Sequence, residues 1–455
     1  FGAIYRTSAI FYIPKNIKTY ICILNYWEFK NNIKVGIVVT IRYLNGKLFS
    51  REEKNFNHSN VLVISNFGVS EGSIEIEAFG NQNLRIPYAA VMGVYEGKKS
   101  INMVHTYARN HSIIELEEKK AIIKARESCW TIKPDFKNRA IFHNGHIKIK
   151  KQFAKLILNN QDGKEISKKF LIPELNAFET FIFDIKKIFP NFKKFLSKKY
   201  GFATLHFDNN SSFTRLLLIW SNKNNNEFQT THSNFDYSTY NTNKIKTKKG
   251  GEMTIPKLPK EIEKVKLIVY PKFEKGEYFY KFNEQKKNFF NKGFIKSMDK
   301  NINKVGFFNK KNYIPSRIVT GMSGKWPNQK IPFECSMGIN HENARKKRFG
   351  WAMVSGKHRN LILINKISLI NDSFSKSFTF KLYNSLNKKI LTRVKKINLG
   401  KENRVCLELK EIFPNFKTFL GNNYGYISIF NSSSSIRFYT SIFDREKGIC
   451  LEHAF

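Results

Sequence analysis

The chain is poor in the features that announce a catalyst, a membrane span or a disulfide framework. It holds five cysteines in 455 residues, Cys22, Cys129, Cys335, Cys406 and Cys450, and no two stand at C-x-x-C spacing. An odd count cannot pair completely within one chain, so no disulfide framework is expected and each domain must stand on its core. No apolar run approaches the roughly 18 residues of a spanning helix, which excludes such a helix from the sequence as given. Phosphate-loop, dinucleotide and zinc-protease patterns are all missing. Long stripes of 3.6-residue period are scarce, which argues against a helical bundle. The chain opens on Phe1 rather than methionine, so the lack of a leader in it carries no weight.

Acidic residues are the other shortage. There are 36 Asp and Glu against 78 Lys and Arg, a formal charge of +42. Residues 1–117 carry 13 basic and 9 acidic side chains, a balance of +4. Residues 118–238 carry 22 and 11, residues 239–344 carry 22 and 9, and residues 345–455 carry 21 and 7. The first quarter is thus nearly neutral and the rest evenly basic. Lys, Asn, Ile and Phe are the residues an AT-rich genome favours, so part of this charge is compositional. Spread charge attracts polyanions at long range without defining a site.

What the chain has in abundance is repetition and aromatic residues. It holds 42 Phe and 19 Tyr, ample for three or four cores at about 100–150 residues each. The segments 181–202 (FIFDIKKIFPNFKKFLSKKYGF) and 405–426 (VCLELKEIFPNFKTFLGNNYGY) align without a gap, and 11 of 22 positions are identical. A third, looser copy lies nearer the start. Each copy contains an apolar strand ending in Asn (CILN at 22–25, IFHN at 141–144, LILIN at 361–365). A turn signal follows at Asn45-Gly46-Lys47, Asp162-Gly163-Lys164 or Asn387-Lys388-Lys389, the first two supplying the positive φ a two-residue hairpin needs. A Gly-led strand comes next, at 72–79, 201–207 or 425–430, and each copy closes near a histidine, His105, His232 or His453.

Short strands rich in β-branched and aromatic residues, bounded by turns, predict an all-β chain of tandem β-sandwich repeats, immunoglobulin-like or jelly-roll-like. The expected boundaries are 1–117, 118–238 and 345–455 for three sandwiches. Residues 239–344 break the rhythm. Ser238–Lys260 reads as a linker, Lys264–Phe282 as a hairpin turning near Lys275-Gly276, and the rest as an insert or a degenerate fourth unit. The repeated Phe-Pro-Asn-Phe segment reads as one short helix, with Pro190 and Pro414 at its first position and Phe192, Phe195 and Leu196 plugging the sandwich end. An exposed partner-binding edge is the alternative there.

The candidate binding residues are the basic cluster Arg345, Lys346, Lys347 and Arg348 with Trp351, and the three terminal histidines His105, His232 and His453. A basic cluster beside an aromatic ring suits phosphate, sulfate or uronate groups. One histidine per unit cannot hold a metal, and no H-x-x-x-H or H-x-H accompanies them. His143 and His146 in a turn lack an acidic or sulfur partner at ligand spacing. Glu334, Cys335, His341 and His358 crowd one region without a protease signature. Residues 199–207 (KYGFATLHF) echo an RNA-binding box but carry Thr204 where an aromatic residue should stand. No catalytic residue, metal or cofactor is assigned. The expected function is a non-catalytic binding or scaffold array for an anionic polymer or surface, a glycan in preference to nucleic acid. An enzyme or accessory subunit with a site near 239–344 is the first alternative, and nucleic-acid binding the second. Tandem sandwiches lean toward a cell-surface or exported protein, whereas unpaired cysteines suit the cytoplasm.

Overall fold

The computed structural model describes residues 5–84, 90–111, 123–124, 128–209, 212–213, 215–234, 244–271, 278–315, 320–344, 348–367, 369–370, 375–432 and 435–453. The chain forms two compact units, Phe1–Asp236 and Tyr237–Phe455. Each unit contains two β-sandwiches, and all four sandwiches have one topology. In the first, eight strands run Tyr5–Ile13, Lys18–Leu24, Gly36–Tyr43, Leu48–Lys54, Val61–Ile64, Gly72–Gly80, Val91–Glu96 and Ile101–His105. They form two antiparallel sheets, ordered first–sixth–third–fourth and fifth–second–seventh–eighth. The same two orders recur in sandwich two (Cys129 to His232), sandwich three (Gly251 to Met337) and sandwich four (Phe349 to His453). First and second strands lie in opposite sheets, unlike an immunoglobulin domain, where they pair.

Residues 239–344 therefore hold a full sandwich. The expected hairpin over Lys264–Phe282 is not formed: Glu263–Val269 and Tyr278–Phe282 are the second and third strands and sit in opposite sheets. Its expected turn at Lys275-Gly276 lies outside the described residues. The expected linker is partly strand, since Gly251–Thr254 pairs with Lys304–Asn309 and Lys244–Lys246 with Tyr313–Pro315. The Asn-ended apolar strands are second strands, each preceded by one more.

The two sheet types differ in burial, and the sequence shows why. Fifth–second–seventh–eighth sheets are apolar on both faces. In sandwich four, Ile362 and Ile364 of the second strand face that sandwich's own core, with Phe378, Phe380 and Phe438. Leu361 and Leu363 on the same strand face the core of sandwich three, with Leu267 and Met322. The uninterrupted run LILI is the mark of a strand buried on both sides. The first unit repeats the arrangement: Ile141, Leu217, Ile219 and Phe228 of sandwich two join the core of sandwich one. Polar contacts reinforce each pair of sandwiches. Asn102 donates to the Phe228 carbonyl and accepts from Thr230 N–H, each at 3.1 Å. The Arg404 guanidinium, 5% exposed, donates to the Ile302 carbonyl at 2.9 Å and the Lys300 carbonyl at 3.1 Å.

First–sixth–third–fourth sheets carry the exposed face. Their fourth strands are edges, and each bears a large exposed apolar side chain: Phe49, Leu171, Phe289 and Val394. Lysine or arginine shares three of these strands, all but Asn288–Phe290, as is usual on edges that must not pair with another chain. The third-to-fourth turns follow the sequence signals. Gly46 and Gly163 have φ of +82° and +84°. The turn at 387–389 has no glycine, and the Asn384 side chain shapes it by accepting from the N–H groups of Leu386 and Asn387.

Because Leu363 is as buried as Ile362, truncating either to alanine is expected to destabilise the second unit by about 2–5 kcal/mol. Denaturant unfolding of the two variants checks this. A loss confined to the Ile362 variant would contradict a shared core.

Candidate functional site

The repeated Phe-Pro-Asn-Phe segment joins the fifth strand to the sixth in sandwiches two and four. It forms two one-turn helices, Ile185–Ile188 and Phe192–Phe195, and again Leu409–Ile412 and Phe416–Leu420. One short helix starting at the proline was expected. Proline explains the break, because it disfavours helical backbone in the residue before it. Phe189 has φ −123° and ψ 83°, and Phe413 has φ −128° and ψ 89°. Pro190 and Pro414 stand between the helices, not at a first helical position. Asp184 caps the first turn by accepting from Lys186 N–H at 2.9 Å, and Glu408 with Glu411 forms a capping box at the equivalent place. Phe192 and Leu196, like Phe416 and Leu420, are buried and close the sandwich end.

The outer side of this segment lines a cleft against the fourth strand, and it does so twice. In sandwich two the cleft is about 380 Å³ and is lined by Ile166, Lys168, Phe189, Pro190, Asn191 and Phe195 among others. In sandwich four it is about 570 Å³, lined by Leu391, Arg393, Phe413, Pro414, Asn415 and Phe419 among others. Superposing the turns at 162–164 and 387–389 matches Ile166 with Leu391 and Lys168 with Arg393. Each unit thus presents, among its described residues, a cleft with a proline and aromatic floor, an aliphatic residue and a long cation on the edge strand. Lys168, Lys194 and Arg393 are exposed.

The residues singled out from the sequence are distributed differently. His105 and His232 end the eighth strands of sandwiches one and two, both buried, with ring centroids 4.5 Å apart at 81°. His232 Nδ1 donates to the Ser233 carbonyl at 2.8 Å. Arg215 Nη1 lies 3.4 Å from His105 Nε2. His453 ends the eighth strand of sandwich four, its Nδ1 2.9 Å from the Glu452 carboxylate. Arg345, Lys346 and Lys347 lie outside the described residues. Arg348 is exposed, and its carbonyl accepts from Asn431 N–H at 2.9 Å. Trp351 is 4% exposed and stands edge-on to Tyr426 in the core, so its ring offers no surface to a ligand. Phe202 and Phe207 are buried, which leaves the RNA-box echo without a stacking face.

Cys335 meets neither His341 nor His358 in a cluster; its neighbours are Glu452 and His453. His358 Nδ1 instead lies 3.2 Å from Asp444. Burial, with Glu452 close by, pushes the Cys335 thiol well above its usual range. A thiol held protonated in this way is a poor nucleophile.

His143 is also structural. Its Nε2 is 2.8 Å from the Tyr107 hydroxyl and its Nδ1 2.9 Å from Thr180 Oγ1. Burial lowers its pKa to about 3.

No protein-family model and no curated protein matches the chain. Among solved structures, one described as the crystal structure of a tetra-tandem repeat in the extending region of a large adhesion protein covers 93% of this chain and 91% of its own. Its identity is 6% and its TM-score 0.10, a likeness too slight to carry any argument.

The low pKa of His143 has a signed consequence. Between pH 6.5 and about 3 the unfolded chain takes up a proton at this residue that the folded chain refuses. Stability of the first unit therefore falls as pH drops below 6.5, by about 2 kcal/mol at pH 5. Denaturant unfolding at pH 7 and pH 5 should show this component in the wild type and lack it in His143→Gln.

Proposed function

We propose that the protein is a non-catalytic tandem-repeat binding array for an anionic polymer, an acidic glycan in preference to nucleic acid. The observation that carries this reading is the duplicated cleft, with Lys168 and Arg393 at matched positions. An aromatic and proline floor suits the apolar face of a sugar ring, and a long cation on the rim suits a carboxylate or sulfate. Two like sites on one chain convert weak single contacts into avidity when a polymer reaches both. The net charge of +42 supplies long-range attraction but no selectivity. A nucleic-acid reading rests on that charge alone, because the candidate stacking residues Phe202 and Phe207 are buried. An enzymatic reading has the buried, protonated Cys335 against it.

The test is binding of the full chain to acidic polysaccharides, anionic vesicles and single- and double-stranded nucleic acid, at low and near-physiological salt. Retention of acidic polysaccharide alone at the higher salt is the expected outcome. Lys168→Glu and Arg393→Glu should each weaken it about 10-fold or more, to the level of the one remaining site, and the double variant should lose retention at the higher salt. Equal binding to every polyanion at low salt, lost at high salt and unchanged in these variants, would reduce the interaction to bulk charge.

A further inference from the structure

The second unit holds a constellation that no sequence spacing suggests. Cys335 lies on the eighth strand of sandwich three, Phe333–Met337, and Glu452 and His453 on the eighth strand of sandwich four, Gly448–His453. These strands pack against each other within the unit. The Cys335 sulfur, a Glu452 carboxylate oxygen and a His453 ring nitrogen all lie within 4.8 Å of one another. We infer that Cys335, Glu452 and His453 form a binding site for a divalent transition-metal ion of the zinc class.

The donor set and its surroundings support this. Thiolate, imidazole and carboxylate together are what zinc accepts, in tetrahedral sites with bonds of about 2.0–2.3 Å. Such bonds set ligand atoms roughly 3.3–3.8 Å apart, so a side-chain adjustment on the order of 1 Å closes the group around an ion. Cys335 and Glu452 are 1% and 3% exposed, and a second buried carboxylate, Glu334, adjoins Cys335 in sequence. Glu334 is oriented by the Tyr270 hydroxyl, which donates to it at 2.5 Å. Glu334 alternates to the other face of the strand, which leaves one buried carboxylate beside the thiol, a conspicuous pairing in a chain with 36 acidic residues and a charge of +42. The His453 side chain is 24% exposed and gives an ion its way in. Its Nδ1 stands 2.9 Å from Glu452 Oε1, so the carboxylate also orients the ring. On binding, the thiol gives up its proton to solvent and the sulfur lone pair takes the metal. Three protein ligands leave a fourth position for water or another donor.

The experiment is cobalt(II) titration of the chelator-stripped full chain, read by absorption. One equivalent should bind with a thiolate-to-cobalt charge-transfer band, and zinc should displace it. Cys335→Ser should lose that band. His453→Gln, at a partly exposed position that leaves the core untouched, should weaken cobalt binding about 10-fold or more while circular dichroism stays unchanged. Zinc should raise the thermal midpoint of the wild type and not that of His453→Gln. Absence of the band in the folded wild type, or an equal band and affinity in both variants, would overturn the site. Either result leaves the cleft reading intact, since the cleft variants are tested without metal.

Discussion

Burial of the fifth–second–seventh–eighth sheet on both faces is the constraint on which the rest of each unit depends. A sheet with one apolar face needs one partner layer, whereas a sheet apolar on both needs two. Leu361 and Leu363 point away from their own sandwich, and water would otherwise meet them. The eight-strand sandwich is therefore half a folding unit, and each compact unit contains two. The same requirement accounts for the sandwich at 251–337. Without it, Leu361, Leu363, Tyr439 and Phe443 would lack the second layer that Leu267, Met322 and Phe333 supply.

That constraint also distributes the chemistry. With both inner sheets committed to packing, exposed charge collects on the outer sheets and their edge strands. The clefts form there, where the Phe-Pro-Asn-Phe segment has one side that seals the sandwich and another that faces solvent. Phe192 takes part in both: it is buried at the sandwich end and also lines the cleft beside Pro190. Polar groups trapped between the inner sheets must instead find protein partners. Asn102, Arg404 and His143 do so through hydrogen bonds to Phe228, Ile302 and Tyr107, which tie one sandwich to the next.

Much of this was legible from residues alone. The all-β class, the turns at Gly46 and Gly163 and the plugging role of Phe192 and Leu196 all follow from local pattern. The third sandwich was legible only as one of two readings, an insert or a degenerate fourth unit, because its similarity to the others is topological and its strands Asn288–Phe290 and Phe294–Ser297 are only three and four residues long. Trp351 was misplaced for a related reason: a tryptophan beside basic residues looks like a binding platform until the fold buries it, here to 4% exposure on the strand Phe349–Ser355. The cleft was half visible. The repeated proline motif marked one wall, but nothing in the linear order linked it to Lys168 or Arg393 across the sheet edge.

By itself the sequence determined the period of the chain, the strand content, the turn chemistry and the excess of positive charge. Each of these depends on residues close together along the backbone, through alternation, φ preference and composition. The tertiary structure alone decided which strands share a sheet, which apolar faces meet, and which distant side chains converge. Cys335 and His453 are separated by more than a hundred residues, and Lys168 and Pro190 by more than twenty. Long-range antiparallel pairing sets these neighbours, and the hydrophobic burial that drives it is non-directional, so its outcome is fixed only when all the sheets are packed together.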